Sequence, residues 1–234
     1  MSAACNGPCP PGHTCPLNGT VAPDPVPPGN YSGPGSIVSE RCPLGHYCSG
    51  NTSTPEPCPA GKLGNALGLN SSECGGDCPE GSYCAAGSAA GAPCADGTYG
   101  NGTGLKERAD CNGCEPGQWC TSGFTYACSH GTFSPLPNQL HVDACTQCPF
   151  NTSTLSRGAT DPSECVCLPD LFDDLGRDPT NATDNATLAR TCTSCPLGFD
   201  CSAEAATTRN VTVTKGFWRP SINATRAKPC PING

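Results

Sequence analysis

The chain is poor in the residues that normally build a core. Aromatics make up 6% of its 234 residues, there is one methionine, and the 35% counted as hydrophobic includes 22 cysteines. A single large core is therefore not expected. Charge is also sparse, at 14%, and leans acidic, with 12 basic against 20 acidic side chains and a net charge of −8. That balance argues against nucleic acid or an anionic membrane as a partner. No stretch of about 18 apolar residues occurs, so no membrane span is expected within this segment. The opening "MSAACNGPCPPG" has no apolar core of the kind a signal peptide needs. The segment is therefore expected to come from a longer or processed precursor. The four histidines, His13, His46, His130 and His141, are scattered and pair with no carboxylate at helical spacing. No nucleophile elbow, His-Glu-x-x-His or phosphate loop is found. The chain is read as not an enzyme, with no catalytic, cofactor-binding or metal residue assigned.

What remains is glycine (29), proline (26) and cysteine, the last at about 9% of the chain. That is the composition of a disulfide scaffold in an oxidising compartment. Asparagine supplies an independent argument. Ten of 15 asparagines stand in Asn-x-Ser/Thr: Asn18, Asn30, Asn51, Asn70, Asn101, Asn151, Asn181, Asn185, Asn210 and Asn223. This excess over chance points to the secretory pathway and to N-linked glycans on accessible loops; no other cofactor is expected.

The cysteines repeat. "CPLGHYC" at 42, "CPEGSYC" at 78 and "CEPGQWC" at 114 are spaced by 36 residues, with weaker copies at 9 and 195. A second motif follows in each unit: "CPAGKLG" at 58, "CADGTYG" at 94, "CSHGTFS" at 128 and "CPFNTST" at 148, each followed 16 or 17 residues later by Cys74, Cys111, Cys145 or Cys165. In the first unit Val26 occupies the place of the third cysteine, and the fourth is missing as well. Two cysteines lost together suggest partners. The expected pairs are Cys58–Cys74, Cys94–Cys111, Cys128–Cys145 and Cys148–Cys165, with short bridges Cys9–Cys15, Cys42–Cys48, Cys78–Cys84, Cys114–Cys120 and Cys195–Cys201, and Cys167–Cys192 closing a variant unit. Cys5 and Cys230 are left over. An interlaced first-to-third, second-to-fourth pattern is the alternative, since spacing alone does not fix connectivity.

Cys-Pro occurs eight times. Proline fixes its own φ and holds the preceding cysteine extended, and the glycine that follows permits a turn. The aromatics Tyr47, Tyr83 and Trp119 are expected to pack on the neighbouring disulfide. With so little apolar area, the bridges must dominate stability. The acceptors Asn30, Asn70, Asn101 and Asn151 fall in third-to-fourth loops, which should point outward. Units stacked end to end would make an elongated rod coated on its side.

The run Cys-Pro-x-Gly-x-Tyr-Cys, then Cys-x-x-Gly-Thr-Tyr-Gly, then Cys-x-x-Cys resembles the ephrin-receptor-like cysteine-rich repeat, akin to EGF-like and TNF-receptor-like modules. "CPEGSYC…CADGTYGNGTGL…CNGC" carries the likeness most fully, and it extends over residues 9 to about 201. "KGFWRP…KPCP" is similar to segments that follow such repeats in surface proteins of algae and other protists. The resemblance implies an extracellular, multi-module, non-catalytic protein.

Three groups allow a second reading. Cys111/Cys114, Cys145/Cys148 and Cys192/Cys195 have zinc-ligand or redox spacing, but each pair joins the end of one repeat to the start of the next, which favours separate bridges. Asp170, Asp173, Asp174 and Asp178 could bind calcium, but lack EF-hand spacing and are read as a solvated loop. Phe124, Tyr126, Phe133, Phe217 and Trp218 could be adhesive or core; adjacent Phe217 and Trp218 are the candidate interface.

The expected fold is small and disulfide-rich: tandem modules of about 36 residues, short β-hairpins and little helix. The boundaries read are 1–41 (degenerate first repeat with a Pro/Gly-rich stretch), 42–74, 78–111, 114–145, 148–201 (variant repeat) and 202–234 (start of a further β-containing domain). The expected role is a secreted or cell-surface structural glycoprotein, a spacer or assembly rod of a coat or filament such as a cell wall, flagellar coat or mastigoneme-like structure. A ligand-binding or stalk ectodomain of a membrane receptor is the alternative. Partners would be other extracellular proteins or copies of itself.

Overall fold

The computed structural model describes residues 8–16, 22–173 and 192–231. Secondary structure among them is a series of short antiparallel two-stranded hairpins, most with two residues per strand, and three single 3-10 turns. Ten disulfides hold them, so the fold is a set of small disulfide-rich tandem modules with almost no helix.

One local element recurs throughout. A half-cystine is followed by two residues, then a residue with positive φ, then the first strand of a hairpin or, after Gly61, a single antiparallel bridge from Lys62 to Asp77. The positive-φ places are Gly12, Gly29, Gly45, Gly61, Gly81, Gly97, Gly117, Gly131, Asn151, Asp170, Gly198 and Gly216. In each case the next residue donates its N–H to the carbonyl three residues back, as from His46 to Pro43 and from Ser82 to Pro79, both at 3.2 Å. Such a turn requires a left-handed residue at its third position, which suits glycine and, next best, Asn or Asp. The two cysteine motifs of the 36-residue repeat therefore build the same hairpin twice. Val26 and Val213 start turns where the others have a half-cystine, and Val26 is fully buried there.

A two-residue ladder is not stable alone. Most hairpins borrow partners from the chain that follows. The chain forms two compact units: residues 1–113 with 121–124, and residues 114–120 with 125–234. In the first, the turn glycines Gly12, Gly29, Gly45 and Gly61 donate to the carbonyls of Ser32, Cys48, Gly64 and Cys84 at 2.8–3.0 Å. Tyr31, Tyr47 and Tyr83 make single parallel bridges to Thr52, Leu69 and Leu105. In the second, Gly117 donates to Ser134 at 2.7 Å and Asp170 to Cys201 at 2.8 Å, while Phe133 and Asp173 bridge to Ala159 and Thr207. These bonds satisfy backbone groups that a sheet would otherwise pair.

Apolar packing is correspondingly local. Phe133, Ala159 and Cys165 form one small core with Cys148 against it. Phe172, Phe199, Cys201, Ala206 and Val211 form another, joined by Cys195, Val213 and Ala227. Elsewhere the half-cystines are the buried residues: Cys42, Cys48, Cys58, Cys78, Cys84, Cys120 and Cys128 are fully shielded.

The 3-10 turns Arg108–Asp110, Val142–Ala144 and Pro162–Glu164 each deliver the next residue, Cys111, Cys145 or Cys165, to its bridge. Two are held by carboxylates that accept backbone N–H groups. Asp110 takes Lys106 at 2.7 Å and Glu107 at 3.1 Å; Glu164 takes Thr160 at 2.7 Å and Asp161 at 3.1 Å. Hydrogen bonds hold the pKa of Asp110, Asp161, Asp96 and Asp200 below the ordinary aspartate value, from backbone donors first at Asp110 and Asp96, and from Ser163 and Ser202 at Asp161 and Asp200. A depressed carboxylate contributes stability above its unfolded pKa and loses it as pH falls through the folded value. The melting temperature should therefore stay flat from pH 7 to about 5 and decline as the pH falls below about 4. These groups are exposed, so the decline should amount to a few degrees, read by calorimetry across the series. A melting temperature that rises toward pH 3 would contradict it.

Candidate interaction surface

The bridges come first, because they fix everything around them. The disulfides are Cys9–Cys15, Cys42–Cys48, Cys58–Cys74, Cys78–Cys84, Cys94–Cys111, Cys114–Cys120, Cys128–Cys145, Cys148–Cys165, Cys167–Cys192 and Cys195–Cys201. The members of Cys111/Cys114, Cys145/Cys148 and Cys192/Cys195 thus sit in different bridges, so none of these pairs is a dithiol. Cys230 is free and exposed, and Cys5 lies outside the described residues. Among the described residues no three His, Cys, Asp or Glu side chains converge as metal ligands. Asp170 is the left-handed residue of its turn and Asp173 is buried within a strand, so the two have structural places; Asp174 and Asp178 lie outside the described residues.

The aromatics divide. Trp119 stacks on Tyr126, with ring centroids 4.5 Å apart, and His141 approaches Trp119 at 6.2 Å. The pair lies at the surface, Tyr126 being exposed. Thr125 donates to Gln118 at 2.6 Å across the same hairpin, Gln118–Thr121 with Phe124–Ala127. Tyr31 and Tyr47 donate their hydroxyls to Glu40 and Glu56 at 2.7 and 2.5 Å, and those hydrogen bonds raise both phenol pKa values. Phe133 is core. Of the candidate pair, Phe217 is half-buried, its ring against Gly198, whereas Trp218 is 44% exposed with the Lys228 ammonium 5.8 Å over its ring. Phe217 therefore orients the hairpin Phe217–Trp218/Lys228–Pro229, and Trp218 presents a face to solvent. The stacking of Trp119 on Tyr126, seven residues on, required knowing that a hairpin lay between them.

Further exposed apolar groups are Phe150 at 90% and Leu197 at 82%, both at the residue before a left-handed turn position, where the side chain stands clear of the backbone. Lys62 is held by Glu73 at 2.6 Å and Asp77 at 3.0 Å, which raise its pKa.

The asparagine acceptors occupy different surroundings. Asn51, Asn70, Asn101 and Asn223 are exposed and lie outside any strand. Asn30 and Asn151 are half-buried, the latter at its turn's left-handed place. Asn210 is exposed, but its amide is bonded at both ends: its oxygen accepts from Thr207 N–H at 2.7 Å and its nitrogen donates to Ala205 at 2.8 Å. Asn18, Asn181 and Asn185 lie outside the described residues.

A family model described as "Tyrosine-protein kinase ephrin type A/B receptor-like" matches residues 117–165. No curated protein matches the chain. The match covers the turn at Gly117, the aromatic hairpin and the Cys128–Cys145 and Cys148–Cys165 loops. That module type is extracellular and non-catalytic; together with ten disulfides it points to an extracellular or cell-surface location. No helix among the described residues is long and apolar enough to cross a membrane.

Proposed function

We propose that this segment is a non-enzymatic structural part of an extracellular coat or filament, a spacer or assembly element of algal or protist type bearing N-linked glycans. The observation that carries the reading is the recurrence of one turn and hairpin, most of them disulfide-closed and completing their hydrogen bonds on the chain that follows. Such repetition suits a protein whose task is length and surface rather than a cleft. The module divisions at 42–74, 78–111, 114–145 and 148–201, with 1–41 and 202–234 flanking them, are part of the proposal; 202–234 continues on the same turn at Gly216. Exposed Trp218 is the proposed contact residue, toward other extracellular proteins or further copies of the chain.

The receptor-like match at residues 117–165 favours a second reading, a stalk or ligand-binding ectodomain. The two differ in what the segment touches. Material secreted from an oxidising host should show concentration-dependent self-association by sedimentation and repeated end or side contacts by electron microscopy. Trp218→Ala should weaken that association about tenfold, in the range of an aromatic interface residue. A species that stays monomeric at every concentration would overturn the structural reading and leave the ectodomain.

A further inference from the structure

Resting on the glycoprotein reading above, we infer that the fold sorts its own acceptors: Asn51, Asn70, Asn101 and Asn223 carry glycans, whereas Asn30 and Asn210 are kept bare by the hydrogen bonds of their side chains.

Transfer needs the asparagine amide nitrogen as nucleophile. A lipid-diphosphate-linked oligosaccharide supplies the sugar: the bond from its anomeric carbon to the diphosphate breaks, a bond to Nδ2 forms, the amide gives up one proton, and the lipid diphosphate leaves. The hydroxyl two residues on must also be presented with the amide. At Asn210 neither end of the amide is free. Nδ2 donates to Ala205 O at 2.8 Å, and Oδ1 accepts from Thr207 N–H at 2.7 Å and from Thr207 Oγ1 at 3.1 Å. The groups it binds are anchored: Thr207 is buried between buried Ala206 and Thr208 and bridges to Asp173, and Ala205 donates its N–H to Cys167 O at 3.0 Å. The hydroxyl residue, Thr212, is itself paired with Asp200 in a hairpin.

Asn30 is closed by a different arrangement. Its Nδ2 donates to Ser39 Oγ at 3.1 Å, and it lies in a strand paired with Arg41. Its hydroxyl partner, Ser32, is 2% exposed and donates to His13 O at 2.9 Å. Both groups the transferase must reach are engaged. The four open acceptors are exposed and lie outside any strand, Asn51 in a bend and Asn223 in a turn. Asn51 is the clearest: its N–H is fixed to Val26 O at 2.9 Å while its side chain stands in solvent, so the backbone is held and the amide is free.

The test is glycopeptide mapping of the full chain secreted from a eukaryotic host, with enzymatic release of glycans marking each occupied asparagine. Occupancy at Asn210 and Asn30 should be at least about tenfold below that at Asn70, the cost of opening the amide's bonds before each transfer. The same chain, reduced, alkylated and offered to microsomal transferase with its lipid-linked donor, should accept a glycan at Asn210, which places the block in the fold and not in the local sequence. A glycan on Asn210 or Asn30 at the level of Asn70 in the folded chain overturns the inference, and so does a bare Asn210 in the reduced chain. If every asparagine is bare in the secreted chain while the reduced one is accepted, the glycoprotein reading itself falls.

Discussion

Reduction of the ten disulfides is expected to unfold the chain at room temperature without denaturant. Five bridges close six-residue spans, four close 16 or 17 residues, and Cys167–Cys192 closes 25. Restricting the unfolded chain in this way contributes about 2–3 kcal/mol per bridge, more for the longer loops. Net stabilities are about 5–15 kcal/mol, so losing the whole set removes more than the fold has to give. Apolar burial offers little in reserve. The two small cores hold three aromatics, Phe133, Phe172 and Phe199, and elsewhere the shielded apolar groups are the half-cystines with Val26 and Val166. Dispersion of amide resonances, or resistance to protease, should vanish on reduction and alkylation, while a strong chelator should change neither. Retained dispersion after complete alkylation would mean that packing, and not sulfur, holds the modules. A partial experiment grades the effect. Replacing Cys58 and Cys74 together by alanine should cost about 3 kcal/mol, with the loss centred on the chain they enclose.

How much of this was legible beforehand depends on the kind of interaction. Covalent spacing is written directly in the sequence, so the hairpin-rich, nearly helix-free class followed from Cys, Pro and Gly alone. The joint absence at Val26 carried information because a bridge has two ends. The smaller period did not show, because the two motifs differ in letters while sharing a backbone: "CPLGHYC" and "CPAGKLG" look like separate elements, yet Gly45 and Gly61 hold the same left-handed turn. Asn151 and Asp170 conceal it further by replacing glycine with the two residues that tolerate that conformation. Side-chain hydrogen bonds were least visible. Nothing in "RNVTVT" separates Asn210 from Asn223; only the placement of Thr207 against Asp173 does. The acidic run at Asp170 and Asp173 reads from composition as a solvated loop, but Asp173 is buried within a strand and Asp170 holds the left-handed place of a turn.

Gly117→Ala is expected to cost far more than Gly216→Ala, although both glycines hold the same place in the same turn. At Gly216 φ is +90° and a methyl group would meet nothing within 4 Å, so the cost is conformational alone, about 1 kcal/mol. At Gly117 φ is +79° and the added carbon would lie 2.1 Å from Gly158 O and 2.8 Å from Gly158 C. Those are backbone atoms, and Gly158 is fixed in turn by its N–H to Cys128 O at 2.9 Å. No rotamer relieves the overlap, so the chain must separate, breaking Gly117 N–H to Ser134 O and the return bond from Cys128 N–H to Gly117 O. A loss of about 3 kcal/mol or more follows, or failure to fold with the native bridges. An asparagine series separates strain from overlap. Asn is at ease with positive φ, so Gly131→Asn, where the nearest atom is Ser153 Oγ at 3.6 Å, should be nearly neutral, while Gly117→Asn should remain as damaging as alanine. Calorimetry with all disulfides intact measures the costs, and amide exchange at Cys128 and Gly117 localises them. Equal losses at 117 and 216 would show that the left-handed turn alone, and not the close approach of successive strands, makes glycine necessary there.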